Sequence, residues 1–284
     1  MLVTLKEVTQ DALKNHYAVG AFNIHNLEYA KAVVETSYEM KAPVILQISQ
    51  GSSDFAGLEE LSMIARHYAA KYAIPVVVHL DHGKSFLRCV EGLRAGFSSI
   101  MFDGSSLPYA ENVAITRRVV EAAHQVGVAV EAEIGKVGKS EDGASTEADD
   151  MHYTAVDEAV RFVGDTQADA LAVSIGTVHT MAIQAAHLDI ALCRKLHEAM
   201  PTVPLVMHGA SGAVDEDVKQ VIQLGITKIN IATFLQKKAA LAVKAMFEQN
   251  PGAIGFRDLA KPQLQAVTDG VRGKIELFGT ANRA

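Results

Sequence analysis

The chain has 284 residues, 49% of them apolar and 21% charged, and its 26 basic and 33 acidic residues leave a net charge of −7. That length suits one barrel-sized domain or two small ones, and the apolar content supplies an ample core. No basic block could neutralise a phosphate backbone, and the two cysteines, Cys89 and Cys193, lie too far apart to form a disulfide framework, so nucleic acid and a stapled secreted scaffold are excluded. The start, Met1 to Glu7, lacks an apolar signal core, and no apolar run is long enough to span a bilayer. The expectation is a soluble, cytoplasmic protein.

Eight short runs rich in Val and Ile follow one another along the chain. They are Ala18–Ile24, Pro43–Ser49, Pro75–His82, Phe97–Gly104, Val128–Gly135, Ala170–Thr177, Pro204–Ala210 and Lys228–Thr233. Their starts run from residue 18 to residue 228, a mean step of 30 residues, enough for one strand, one helix and two loops. Helix-stop chemistry precedes four of them, as in Ala42-Pro43 and Val203-Pro204, and amphipathic stretches such as Leu27–Met40, Leu58–Lys71 and Asn112–Gln125 lie between. Strands alternating with helices imply parallel pairing, and eight such units suit a closed (β/α)8 TIM barrel spanning residues 1–284 as one domain. An open doubly wound sheet is the rival, but no Gly-x-Gly-x-x-Gly turn follows the first strand. Beyond about residue 236 the sequence predicts extra C-terminal helices, Lys237–Glu248 and another after the breaker cluster Asn250-Pro251-Gly252. The Gly/Ser/acid-rich stretch Gly135–Asp150 reads as a long loop after the fifth strand, where barrels place active-site lids.

In such a barrel the C-terminal strand ends face the active site. Here those ends carry Asn23, Ser49, His79 with Asp81 and His82, Asp103, Glu131 and Glu133, His179, His208, and Asn230 with Thr233. Any one of them alone reads as a cap or a satisfied core group, but burying all of them together without a ligand would be costly. His82, His179 and His208 match a three-ligand divalent metal site, and imidazole suits zinc. Asp81, beside the first of them, is placed to move a proton next to a metal-polarised carbonyl. His79 shares a face with Asp81 and reads as a support behind the site or as core, with core preferred. The glycine-rich turn His208-Gly209-Ala210-Ser211-Gly212 and the strand end Asn230-Ile231-Ala232-Thr233 fall where barrels bind phosphate, after strands seven and eight.

In these motifs the sequence resembles the class II, metal-dependent ketose-bisphosphate aldolases, and among them the bacterial fructose- and tagatose-bisphosphate aldolases. The resemblance covers nearly the whole chain through Tyr17–Asn23, Ala42–Ile45, His79-Leu80-Asp81-His82-Gly83, Val130–Gly135, His208–Gly212 and Lys228–Thr233. It implies cleavage of a ketose phosphate to dihydroxyacetone phosphate and an aldehyde, with one zinc ion per subunit on His82, His179 and His208, and a monovalent cation as a further cofactor. It implies that Asp81 handles the C4 hydroxyl proton and that Glu141, in the long loop, handles the dihydroxyacetone phosphate proton. Asp103 and Glu133 fall at a second metal position, and Asn23, Ser49, Gly209, Ala210, Ser211, Asn230, Ile231, Ala232 and Thr233 at substrate contacts. It further implies a homodimer or homotetramer, with an accessory subunit as a partner in some relatives.

The sequence departs from the family pattern in two places. Thr180 stands where the family has a glycine after the second zinc histidine, with Ala182 in place of an aromatic, and Lys139 replaces a small residue in the long loop. A β-branched residue tolerates fewer backbone angles than glycine, so Thr180 is expected to alter substrate choice at a phosphate contact. The readings left open are an aldolase for an atypical sugar phosphate or deoxy-keto acid phosphate, and a non-catalytic sugar-phosphate-binding accessory subunit.

Overall fold

The computed structural model describes residues 1–139, 152–179, 186–252 and 255–284, with the backbone alone at 138–139 and 178–179. Its strands are β1 (Val19–Asn23), β2 (Val44–Ile48), β3 (Val76–Gly83), β4 (Ser99–Phe102), β5 (Ala129–Ile134), β6 (Gly138–Lys139), β7 (Ala170–Val173), β8 (Val178–His179), β9 (Leu205–Met207) and β10 (Ile226–Ile231). All but β6 and β8 close into one parallel barrel, in the order β1-β2-β3-β4-β5-β7-β9-β10. Closure is made by β10 against β1, with Val19 opposite Lys228 and Phe22 opposite Ile231. This is the (β/α)8 barrel expected from the eight apolar runs. The last strand starts at Ile226, two residues before the predicted start, because Gly225 at φ +88° turns the chain into it.

Alternation along each strand separates two apolar layers. Ala21, Ile45, Val77, Ala129, Ala172 and Val206 form a small inner cluster. Their neighbours Phe22, Leu46, Val78, Val130, Leu171 and Leu205 pack outward against the helices. The helix Leu5–Asn15 supplies Leu5, Val8 and Ala12 to the inner cluster and so plugs the N-terminal end of the barrel. Composition gave no expectation of this helix, although its start signal is readable. Thr4 Oγ1 accepts from Glu7 N–H, and the Glu7 carboxylate accepts from Thr4 N–H at 2.7 Å.

The first C-terminal helix, Thr233–Gln249, is longer than expected; it packs on the second, Phe256–Leu277, which also packs on the helix Leu27–Glu39. The short strands β6 and β8 pair in parallel, Lys139 opposite His179. This places residues 138–139 beside the segment that carries His179; the rest of the loop expected over Gly135–Asp150, from residue 140 on, lies outside the described residues. Among the described residues no helix is long and apolar enough to cross a membrane.

Candidate active site

On several strands the inward-facing row of side chains changes from apolar to polar as it rises toward the C-terminal mouth. The step of two gives Ala21 then Asn23 on β1, Ile45 then Gln47 on β2, Val77 then His79 and Asp81 on β3, and Ala129 then Glu131 and Glu133 on β5. Beyond Val206 comes His208, and β10 contributes Lys228 and Asn230. The alternation that builds the core therefore also converges the polar groups at one end of the barrel.

Asp81 and His82 are neighbours, so a regular strand would point them to opposite faces. The backbone resolves this with φ +50° at His82, a left-handed conformation, and with a register shift between Leu80 and Gly83 where β3 meets β4. Such a conformation costs a non-glycine residue roughly 1–2 kcal/mol, and here it brings both side chains to the mouth.

The Asp81 carboxylate is buried and gripped from both sides. Asn23 Nδ2 donates to Oδ2 at 3.0 Å and Asn230 Nδ2 donates to Oδ1 at 3.2 Å. Both amides are themselves oriented from behind, since Gln47 Nε2 donates to Asn23 Oδ1 at 2.7 Å and Lys228 Nζ donates to Asn230 Oδ1 at 2.7 Å. Burial alone would raise the Asp81 pKa, but the nearby His82, Lys228 and His208 and the Asn23 hydrogen bond hold it below its ordinary value. Asp81 is a carboxylate held in its basic form.

Next to it, one donor atom each of His82, Glu133 and His208 lie within 4.8 Å of one another. Asp103 holds the His82 ring through Nδ1 at 2.6 Å, and is itself held by Lys84 at 2.5 Å and by the Ser105 hydroxyl at 2.7 Å. His208 meets Glu131 Oε1 through Nε2 at 2.8 Å, and its Nδ1 faces Glu133 Oε2 at 3.1 Å. Glu133 Oε2 is buried and accepts no hydrogen bond among the described residues.

Four buried carboxylates, Asp81, Asp103, Glu131 and Glu133, thus meet two lysines, Lys228 from within the barrel and Lys84 from the surface. Burial would lower the His208 pKa, but Glu131 and Glu133 outweigh it and raise it to about 10. The cluster therefore attracts positive charge at the histidines. The donor set of two imidazoles and a carboxylate, with carboxylates orienting the rings, fits a divalent cation of the zinc type.

A cavity opens above Asp81 and His82. One wall is Asn23, Ser49 and Gln47; the other is Gly209, Ser211, Ala232 and Thr233. Gly209 has φ +64° and leads into the short 3-10 turn Ala210–Gly212, while Ala232 precedes the helix Thr233–Gln249. The Ser211 hydroxyl accepts from Phe234 N–H at 3.3 Å, which ties the two turns together. Ser49 also caps the helix Gln50–Ala56 by accepting from Ser52 N–H at 3.3 Å.

Most of the residues singled out from the sequence are brought together here. Ala210 and Ile231 pack their side chains into the outer apolar layer instead of lining the cavity. Glu141, Thr180 and Ala182 lie outside the described residues, as do the side chains of His179 and Lys139. His79 is fully buried beneath Asp81, bonded to the Ser99 hydroxyl at 2.8 Å, and burial pushes its pKa down to about 3, as befits the core histidine expected. The sequence reading missed Gln47, His25, Gln236 and Lys228. The first three line the cavity, and Lys228 is buried in the barrel interior. A lysine two residues before Asn230 within an apolar strand is a signal that alternation could have exposed.

The sequence pattern of the class-II fructose-bisphosphate aldolases matches residues 3–283. The YdjI aldolase from Escherichia coli K12 is similar in structure, with a TM-score of 0.87, 34% identity and 100% of each chain covered. Two further structures share the fold. A putative fructose-1,6-biphosphate aldolase from Coccidioides immitis is 24% identical, with a TM-score of 0.86 over 98% of this chain and 97% of that one. Fructose-bisphosphate aldolase (Fba) from Campylobacter jejuni is 20% identical, with a TM-score of 0.83 over 100% of this chain and 97% of that one. The chain belongs to the class II fructose-bisphosphate aldolase family and is a carbon–carbon lyase built on its barrel.

Proposed function

We propose that the chain catalyses reversible, metal-dependent aldol cleavage of a phosphorylated ketose, of the fructose or tagatose 1,6-bisphosphate type, to dihydroxyacetone phosphate and an aldehyde. The observation that carries this reading is the pairing, in one cavity, of a carboxylate held in its basic form with a cation-seeking cluster beside it. His82 and His208 would hold one zinc ion, with His179 as the third histidine and Asp103 and Glu133 as the acids near it. A divalent cation there would polarise the ketose oxygens at the bond that breaks.

Asp81 takes the proton from the C4 hydroxyl in the cleavage direction and returns it in synthesis. Asn23 and Asn230 hold its two oxygens so that the proton-accepting lone pairs stay aimed at the cavity. The turn at Gly209–Ser211 and the start of the helix at Thr233 present backbone N–H groups to the dihydroxyacetone phosphate end. Ser49 and Asn23 meet the sugar on the opposite wall. Glu141 handles the second proton, that of the dihydroxyacetone phosphate half. The same reading takes residues 1–284 as one domain acting as a cytoplasmic homodimer or homotetramer.

A panel of ketose 1,6-bisphosphates and 1-phosphates, scored for dihydroxyacetone phosphate release by the zinc-loaded protein, tests the reading. Release from a 1,6-bisphosphate is expected. No release from any of them by a metal-loaded, folded chain would overturn it. Thr180 in place of the family glycine favours a second reading, an atypical sugar phosphate, which the same panel separates by its preferred substrate.

A further inference from the structure

Lys228 is fully buried inside the barrel, where a lysine has no route to water. Among the described residues its ammonium group has two partners. It meets Glu131 Oε2 at 2.9 Å and Oε1 at 3.2 Å, and it donates to Asn230 Oδ1 at 2.7 Å. A buried ion pair is weak evidence for stability, because a well-packed apolar replacement is often as stable or more so. What distinguishes this pair is where its two partners lead.

An ammonium only donates, so it forces the Asn230 oxygen toward itself and the Asn230 Nδ2 toward Asp81 Oδ1. Without that donor the amide is free to rotate and set its oxygen against the carboxylate. On the other side, Glu131 Oε1 accepts from both Lys228 and His208 Nε2, which fixes the ring with Nδ1 toward Glu133. Asn23 has its own anchor in Gln47, a neutral amide whose side chain makes no hydrogen bond to a histidine among the described residues. Through Asn230 and Glu131, Lys228 links the Asp81 side and the His208 side of the cavity by hydrogen bonds.

We propose that Lys228 is a positioning residue that sets the Asn230 amide against Asp81 and, through Glu131, the His208 imidazole against the metal site, so that both arms are held in one frame. The inference rests on the roles proposed for Asp81 and His208. Removing the lysine alone would strand Glu131 as an unpaired buried charge, so the informative variant is Lys228→Met/Glu131→Gln, in which glutamine still accepts from His208.

Two readouts separate positioning from packing. Affinity for Zn2+ alone, by competition with a chromophoric chelator, should fall roughly ten- to hundredfold, as for other groups that orient metal ligands. The kcat of the zinc-loaded variant should fall on the order of 10²-fold with KM changed by less than about threefold, because the reacting groups and not the substrate contacts are displaced. Lys228→Gln/Glu131→Gln, which returns a donor to Asn230, should recover at least tenfold of the lost kcat. Wild-type Zn2+ affinity and kcat in a folded Lys228→Met/Glu131→Gln chain would overturn the proposal. Should that variant not fold, wild-type Zn2+ affinity and kcat in Lys228→Leu/Glu131→Gln, which likewise removes the donor, would overturn it equally. A native chain that binds Zn2+ but cleaves no ketose phosphate contradicts the proposed reaction instead, while the metal readout still decides the role of Lys228.

Discussion

Asp81→Asn preserves volume and removes the base, and the surrounding hydrogen bonds determine how the variant behaves. In the native chain both carboxylate oxygens accept from amide N–H groups, of Asn23 at 3.0 Å and Asn230 at 3.2 Å. An asparagine at 81 must turn its own NH2 toward one of those donors. Neither neighbour can rotate to accept it cheaply, because Gln47 and Lys228 pin their oxygens. One donor is left unsatisfied, at about 1–3 kcal/mol. That is a fraction of the ~5–15 kcal/mol that holds a domain together, so the variant should fold. Asp81 is not among the three groups whose donor atoms converge, so metal should stay bound. Loss of a general base lowers turnover by about 10²–10⁴, or roughly 2.7–5.4 kcal/mol in the barrier. The assay is dihydroxyacetone phosphate release from the best ketose phosphate, with metal content by elemental analysis and folding by calorimetry on the same sample. A folded, metal-loaded variant with wild-type kcat would refute the role of Asp81.

His208→Ala should lose bound zinc and with it activity, since one of the converging donors goes and Glu131 and Glu133 are left facing each other's charge; elemental analysis showing one ion per chain would contradict this. At the opposite end of the barrel, Asp169→Ala strips the partner from the buried Val130 N–H, at 2.9 Å, and from His124 and Lys6. Stability should fall by about 1–3 kcal/mol and kcat should not change, which a melting curve and the cleavage assay check together. Gly83→Ala would place a Cβ 2.7 Å from the Met101 carbonyl oxygen and should destabilise by roughly 1–3 kcal/mol; an unchanged melting temperature would count against the packing described at the end of β3. Burial raises the Cys89 and Cys193 thiols to about 12, so the native protein should react with Ellman's reagent only after denaturant is added.

The fold was legible because the signal repeats. Eight apolar runs, each far enough from the next for a helix between, leave little but a parallel barrel, and Ala18–Ile24 and Val128–Gly135 overlap their observed strands closely. The mouth residues were legible for the same reason, since strand ends are the places where polar groups interrupt apolar runs. What the sequence did not show are contacts between strands distant in sequence. The bond from Lys228 to Glu131 spans 97 residues and that from Asn230 to Asp81 spans 149, and no local pattern encodes either. His82 was expected to reach the mouth beside Asp81, yet the left-handed turn that achieves it shows only in the backbone. Ala210 and Ile231 sit in motifs that line the cavity, but strand alternation at Ile231 and the 3-10 turn at Ala210 set their own side chains in the outer apolar layer.

The central claim is that carbon–carbon cleavage here runs on one divalent cation at the His82–His208 cluster. It is tested most directly by titrating Zn2+ into chelator-stripped protein while following dihydroxyacetone phosphate release. The expected result is no release before metal is added, a linear rise, and a break at one ion per chain. Full release from the stripped protein, or a metal-loaded chain that cleaves nothing, would contradict it.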